Sequence, residues 1–151
     1  MSDLNLSQQR GIFDSDYAKP VTLIGAGAVG SQVAVMLAKL GVPQITVYDG
    51  DAIESHNISM SAYCPDDLGR FKVEALSSHV LKQSGLTIRA INEMYTGEPL
   101  TRTVVACVDT MEARSLIWNE VKRNPNVDIL VDTRVARELI SIFAISPCEE
   151  E

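Results

Sequence analysis

Three glycines, Gly25, Gly27 and Gly30, stand in the spacing GxGxxG directly behind the apolar run Val21-Thr22-Leu23-Ile24 and directly ahead of a helical pattern. That arrangement suits phosphate. The first glycine permits a tight turn, the second lets an anion approach the backbone, and the third lets helix and strand pack closely. The N–H groups that open the helix then hold phosphate oxygens. A strand-to-helix turn can need glycine for its own sake, so the weight of the pattern comes from the agreement of both flanks. Asp49 follows nineteen residues after Gly30 at the end of the next strand pattern. This is close to the roughly 20 residues at which an acid reaches a ribose hydroxyl, although an acid at a strand end can also cap a turn. Nucleotide binding is the chemistry these residues point to.

The elements that must position them follow from periodicity. Val21–Ile24 reads as a buried strand, and a helix runs from the glycine turn to Leu40, with Gly41 as its stop. Gln44–Tyr48 reads as the second strand and completes a βαβ unit with a right-handed parallel crossover. From Gly50 to Arg70 no period is sustained, and Asn57, Pro65 and Gly69 mark a long loop with room for one helical turn. Phe71–Gln83 reads as a helix, Thr87–Asn92 as a strand and Asn92–Arg102 as a loop. Thr103–Val108 reads as a buried strand, Glu112–Arg123 as a helix, Val127–Val131 as a strand, and Glu138–Ile145 as the sheet's next strand. The alternation predicts an α/β fold, Rossmann-like and doubly wound, with a mostly parallel sheet flanked by helices. The expected division is an N-terminal segment over 1–20, a nucleotide-binding domain over 21–146 that is incomplete at its C-terminal end, and an acidic tail over 147–151.

The whole-chain numbers set limits. At 151 residues, 46% hydrophobic and 22% charged, the chain matches one ordinary domain that needs no disulfide or metal staple to fold. The net charge of −7 opposes the counterion release that drives nucleic-acid binding and disfavours anionic membrane. With no long apolar run and a polar start, the expectation is a cytoplasmic protein. Cys64, Cys107 and Cys148 are far apart and form no CxxC pair. Cys107 follows Val104-Val105-Ala106 and reads as core, while neither Cys64 nor Cys148 has a cation nearby in sequence to activate it. His56 and His79 stand at no metal-ligand spacing from each other or from a cysteine. Trp118 and Ile117 read as the apolar stripe of a helix.

What separates a dehydrogenase from other users of such a turn is the next loop. Asp49-Gly50-Asp51-Ala52-Ile53-Glu54-Ser55-His56-Asn57, then Gly69-Arg70-Phe71-Lys72, resembles the ThiF, MoeB and ubiquitin-activating E1 adenylation family, which reads D-x-D-x-(V/I)-x-x-x-N and then G-x-x-K. Cys107-Val108-Asp109-Thr110-Met111-Glu112-Ala113-Arg114 is similar to that family's C-x-D-x-x-x-A-R segment. The resemblance runs from Val21 to Ile145. It implies ATP-dependent formation of an acyl adenylate on the C-terminal glycine of a ubiquitin-like or sulfur-carrier protein, and a homodimer. It further implies Gly25, Gly27, Gly30, Asp49, Asp51 and Asn57 around ATP, with Asp49 on the ribose and Asn57 on phosphate oxygens. Lys72 would act as a point charge on the phosphates, and Asp109 would be the Mg²⁺ ligand. Without the resemblance, Lys72 is a solvated helix lysine, Asp109 an N-cap, and Arg114 a partner for either phosphate or a carboxylate.

Three departures stand out. The family's arginine three residues after the loop asparagine is Met60 here. Ser7-Gln8-Gln9-Arg10 matches poorly the N-terminal segment that brings a partner subunit's arginine, leaving Arg70, Arg134 or Arg137 as substitutes. Family members are also longer, with a further lobe. Two other readings therefore stand beside adenylation: a non-catalytic module that binds a nucleotide or a ubiquitin-like protein, and an NAD-dependent oxidoreductase.

Overall fold

A computed structural model describes residues 5–9 and 11–147. At its centre lies β1 (Val21–Ile24), every residue of which is buried. It pairs in parallel with β2 (Ile45–Tyr48) on one side and with β4 (Thr103–Ala106) on the other. Beyond β2 comes the short β3 (Arg89–Ile91), also parallel, and beyond β4 comes β5 (Ile129–Ala136). The last strand, β6 (Leu139–Ile145), turns back antiparallel to β5, and the order across the sheet is β3-β2-β1-β4-β5-β6. That order reverses between β1 and β4. In a doubly wound sheet the crevice for ligands opens at such a point, outside the carboxyl ends of the strands.

Among the described residues three α-helices cover the sheet: α1 (Ala28–Lys39), α2 (Lys72–Ser84) and α3 (Met111–Val121). Side chains of a strand alternate between faces, so Leu23 and Ile24 enter different cores. Leu23 and Val47 pack with Val73, Leu76 and Val80 on the side of α1 and α2. Ile24 and Val104 pack with Ile117, Val121 and Leu130 on the side of α3. Trp118 lies half-buried against this second core. The expected α/β, Rossmann-like architecture is the one observed.

The structure redraws several boundaries. The expected strand over 103–108 stops at Ala106, which frees Cys107 to Asp109 to form the cleft wall. The strand expected over 127–131 starts later and continues to Ala136, because its second half pairs with β6 as a hairpin turning at Arg137, where φ is +47°. Between β2 and α2 the long loop holds two 3₁₀ turns, Ser55–Asn57 and Pro65–Asp67, where one turn was expected. Its two ends meet in a bridge between Ala52 and Phe71. Among the described residues no helix is long and apolar enough to cross a membrane. Arg10, Cys148 and the tail after Pro147 lie outside the described residues.

Candidate nucleotide site

The glycines do different work. Gly25 follows β1 with φ at +94°, and a Cβ there would come within 2.6 Å of the Cys107 carbonyl oxygen. Only a residue without a side chain lets β1 turn that close to the end of β4. Gly27 is the N-cap of α1, with no side-chain cap, and an added Cβ would meet nothing within 4 Å. Gly27, Ala28 and Val29 line the cleft, so the start of α1, with N–H groups that no intrahelical carbonyl can satisfy, borders the place an anion would take. Gly30 is buried, and a Cβ on it would lie 1.8 Å from the Gly25 carbonyl oxygen. Gly25 and Gly27 line the cleft, whereas Gly30 stands behind it and lets α1 sit against the turn.

Asp49, at the end of β2, braces this turn. One of its carboxylate oxygens accepts the Ala26 N–H at 2.7 Å and the other accepts the Asp51 N–H at 2.9 Å. Lys72 opens α2, and its Nζ donates to Asp51 Oδ2 at 2.7 Å and lies 3.8 Å from Asp49 Oδ1. At 8% exposure Lys72 is buried, which corrects the reading of it as a solvated helix lysine. Two carboxylates hold this cation in place, and of its three N–H groups the bond to Asp51 uses one. Lys72 also lines the cleft.

The loop after β2 is tied to the same turn. The Tyr63 hydroxyl donates to the Ala26 carbonyl at 2.6 Å, and Ser31 Oγ accepts the Ala62 N–H at 3.0 Å. Burial first, then the negative charge of Asp49 and Asp67, pushes the Tyr63 phenol well above its ordinary range, so it remains a donor. Asn57 Oδ1 accepts the Glu54 N–H at 2.9 Å, which orients the side chain and leaves its NH₂ group for a ligand. His56, given no role by the sequence, shares that turn and also lines the cleft.

Asp109 lies exposed on the opposite lip. The N-cap of α3 is Thr110, whose Oγ1 accepts the Ala113 N–H at 3.2 Å, so the reading of Asp109 as the cap is corrected and its carboxylate is left to the cleft. Arg114 pairs with the buried Asp132 carboxylate and the Val108 carbonyl, as the second of its two readings has it, and it also lines the cleft. Met60 is exposed and outside the cleft. Of the three candidate arginines, Arg70 is bonded to Asp67 and Ser78, Arg137 sits in the hairpin turn, and Arg134 alone lines the cleft. Arg134 is aimed by its Nε–H bond to Asp132 at 2.8 Å and by the Phe143 ring, 5.0 Å from its guanidinium carbon. Cys107 is half-buried and lines the cleft, so its reading as core holds only in part; burial raises its thiol pKa.

Together these groups surround a cleft of about 840 Å³ at the carboxyl ends of β1, β2 and β4. Gly25, Gly27, Asp49, Asp51, Asn57, Lys72 and Asp109 all reach it. Tyr48, Met94 and Tyr95 supply an apolar wall that sequence reading missed. Tyr48 ends β2 and the other two follow β3, so no single pattern in the sequence joins them.

The model of the ThiF family matches residues 6–126. This chain belongs to the ThiF family. Among the relatives of this ThiF-family chain is the ubiquitin-like modifier-activating enzyme 5 of Oryza sativa subsp. japonica, 28% identical over an alignment 141 positions long that covers 77% of this chain and 33% of the relative. The protein of the same name from Culex quinquefasciatus is 28% identical over 82% of this chain and 37% of its own length. This ThiF-family chain thus spans about a third of the curated relatives it matches. Among solved structures, Escherichia coli MccB with ATP superposes with a TM-score of 0.76 at 21% identity, covering 87% of this chain and 41% of that one. The E. coli tRNA N6-threonylcarbamoyladenosine dehydratase TcdA gives 0.71 at 21% identity, over 82% and 54%. At such identity the likeness speaks for the fold.

The ThiF-family chain carries a second cluster, outside the cleft. Asp67, 3% exposed, receives the Arg70 guanidinium on Oδ1 at 2.8 Å. Its Oδ2 faces His79 Nε2 at 2.6 Å, the Cys64 thiol at 3.2 Å and the Cys64 N–H at 3.0 Å. Burial alone would raise the Asp67 pKa, but the bonds from the Cys64 N–H, His79 and the thiol outweigh it and hold the carboxyl well below the usual range. The hydrogen bond to Asp67 raises the pKa of the Cys64 thiol. His79 and Cys64 stand at no metal-ligand spacing in sequence, and the fold nonetheless brings both to Asp67.

Proposed function

We propose that this ThiF-family domain binds ATP with Mg²⁺ and adenylates the C-terminal glycine carboxylate of a ubiquitin-like or sulfur-carrier protein. The observation that carries the reading is the convergence of the Gly25–Gly27 turn, Asn57, Lys72 and Asp109, from four separate stretches of chain, on one cleft. In the reaction a carboxylate oxygen of the partner attacks the α-phosphorus of ATP, a new P–O bond forms, and the bond to pyrophosphate breaks. Both reactants are anions, so the site must supply positive charge before they can meet. The α1 amides and Lys72 supply it at the glycine turn, and Asn57 adds an amide donor. Asp49, already engaged by two backbone N–H groups, keeps lone pairs for a ribose hydroxyl. The residues present fit the metal: Asp109 offers a hard oxygen ligand, and Mg²⁺ bound there would neutralise the charge growing on the departing pyrophosphate.

The name of the rice relative, a ubiquitin-like modifier-activating enzyme, supports the partner class. Met60 favours the second reading, a module that docks a ubiquitin-like protein without activating it, because a thioether cannot stabilise pyrophosphate. An NAD-dependent oxidoreductase leaves Lys72, Asn57 and Asp109 without a role as a set. Thermal unfolding with each ligand tests the proposal. Mg·ATP at a hundred times its Kd stabilises by about 2.7 kcal/mol, a rise of about 5–10 °C for a domain of this size, and NAD gives less. Stronger stabilisation by NAD overturns the proposal. ATP–pyrophosphate exchange with a Gly-Gly-ended ubiquitin-like protein separates the enzyme from the module, since a module shows none.

A further inference from the structure

Cys64, Asp67 and His79 stand outside the nucleotide cleft, and the cleft's chemistry uses none of them. Their potential ligand atoms, a thiol sulfur, a carboxylate oxygen and a ring nitrogen, all lie within 4.8 Å of one another. Asp67 belongs to the Pro65–Asp67 turn, Cys64 is that turn's N-cap, and His79 stands on the second turn of α2. The carboxylate is buried and the other two are half-buried, so the cluster is sheltered and still open to solvent on one side. Arg70 occupies Oδ1 of Asp67 and holds the carboxylate plane, leaving Oδ2 to the thiol and the imidazole. A hydrogen-bonded partner of this kind is what orients a ligating carboxylate in a metal centre.

We propose that Cys64, Asp67 and His79 form a binding site for a divalent transition-metal ion, with zinc the best match. Thiolate, imidazole and carboxylate are the ligand set zinc takes, and three protein ligands leave a fourth position for water. On binding, the Cys64 thiol gives up its proton to solvent, the proton that His79 Nε2 now donates to Asp67 also leaves, so that the neutral ring carries its one proton on Nδ1, and the ion takes the lone pairs of Sγ, Nε2 and Oδ2. Nitrogen and oxygen ligands of a tetrahedral zinc are about 3.4 Å apart, so the 2.6 Å between Asp67 and His79 must open by a small side-chain rotation. The thiolate and carboxylate carry two negative charges against the one positive charge of Arg70, which leaves the site anionic and receptive to a dication. The bound ion fastens the Pro65–Asp67 turn to α2 and so steadies the loop that holds Asn57 on one side and leads into Lys72 on the other.

Cobalt(II) titration of the full chain, stripped of metal beforehand, tests this assignment. We expect a sulfur-to-cobalt charge-transfer band in the near ultraviolet, visible bands of a four-coordinate ion, and loss of both when zinc is added. Cys64→Ser abolishes the charge-transfer band, His79→Gln weakens binding about tenfold or more, and Cys107→Ser and Asp109→Ala leave the spectrum unchanged. Zinc raises the Tm of the wild type and not that of Cys64→Ser. Should one variant lose its fold, the other gives the same reading. Absence of the charge-transfer band in the wild type, or its persistence in Cys64→Ser, overturns the proposal. ATP binding is measured separately, so failure here leaves the nucleotide reading standing, and failure there leaves this one.

Discussion

A methyl group added at Gly27 and one added at Gly30 should have opposite consequences, although the two glycines belong to one motif. In Gly30→Ala the new Cβ falls 1.8 Å from the Gly25 carbonyl oxygen, 2.9 Å from its carbon and 3.1 Å from Leu23 Cδ2. The nearest atoms are backbone, so no rotamer relieves the clash, and α1 must retreat from the turn by about 1 Å or more. Overpacking of this kind costs about 3 kcal/mol at the upper end of its range, and the better helix propensity of alanine returns about 1 kcal/mol. The net loss of about 2 kcal/mol lowers Tm by about 4–8 °C. In Gly27→Ala the methyl group meets nothing, its φ of −77° is ordinary, and the loss of a glycine N-cap costs about 1 kcal/mol or less. That methyl group stands where the proposed phosphate sits, so ATP-induced stabilisation should disappear. Thermal unfolding with and without Mg·ATP reads both effects in one assay. An unchanged Tm in Gly30→Ala, or full ATP stabilisation in Gly27→Ala, refutes the division of labour assigned to the two residues.

Asp109→Ala should keep the wild-type Tm, because Thr110 does the capping, and lower ATP–pyrophosphate exchange about a hundred- to thousandfold, as measured by radiolabel incorporation. Tyr63→Phe removes the donor to the Ala26 carbonyl and should cost about 1 kcal/mol in urea unfolding, with weaker ATP binding because the glycine turn loses its brace. The depressed pKa of Asp67 means that its ionised form stabilises the fold at and above neutral pH. That contribution starts to be lost as pH falls below the ordinary carboxylate value near 4 and is gone only below the lowered one. Asp67→Asn should therefore flatten the acid limb of stability against pH, and an unaltered limb contradicts the ion pair's role.

Local features of the site were readable because their causes are local. The glycine turn, the strand before it and Asp49 follow from residues within one βαβ unit, where each glycine answers a demand of the adjacent backbone. Lys72 was harder, since its burial depends on a loop that folds back and presents Asp51 from 21 residues earlier. Asp109 and Thr110 are both good capping residues, and only the hydrogen bond to Ala113 tells which one caps. The second half of β5 escaped notice because Asp132, Thr133 and Arg134 interrupt the apolar run by which buried strands are recognised. Cys64 and His79 are fifteen residues apart with no signature spacing, and only the fold brings both to Asp67.

The sheet order also dictates when the cleft can exist during folding. β1 finds β2 after a loop of some twenty residues, but it meets β4 only after the chain has closed a loop about four times as long. The Cys107 wall and Asp109 arrive with that later closure, so a chain that has made only its first βαβ unit owns half a crevice. Such distant pairing slows folding, and competence to bind nucleotide should rise with the slowest phase of refolding, not with the first appearance of helix.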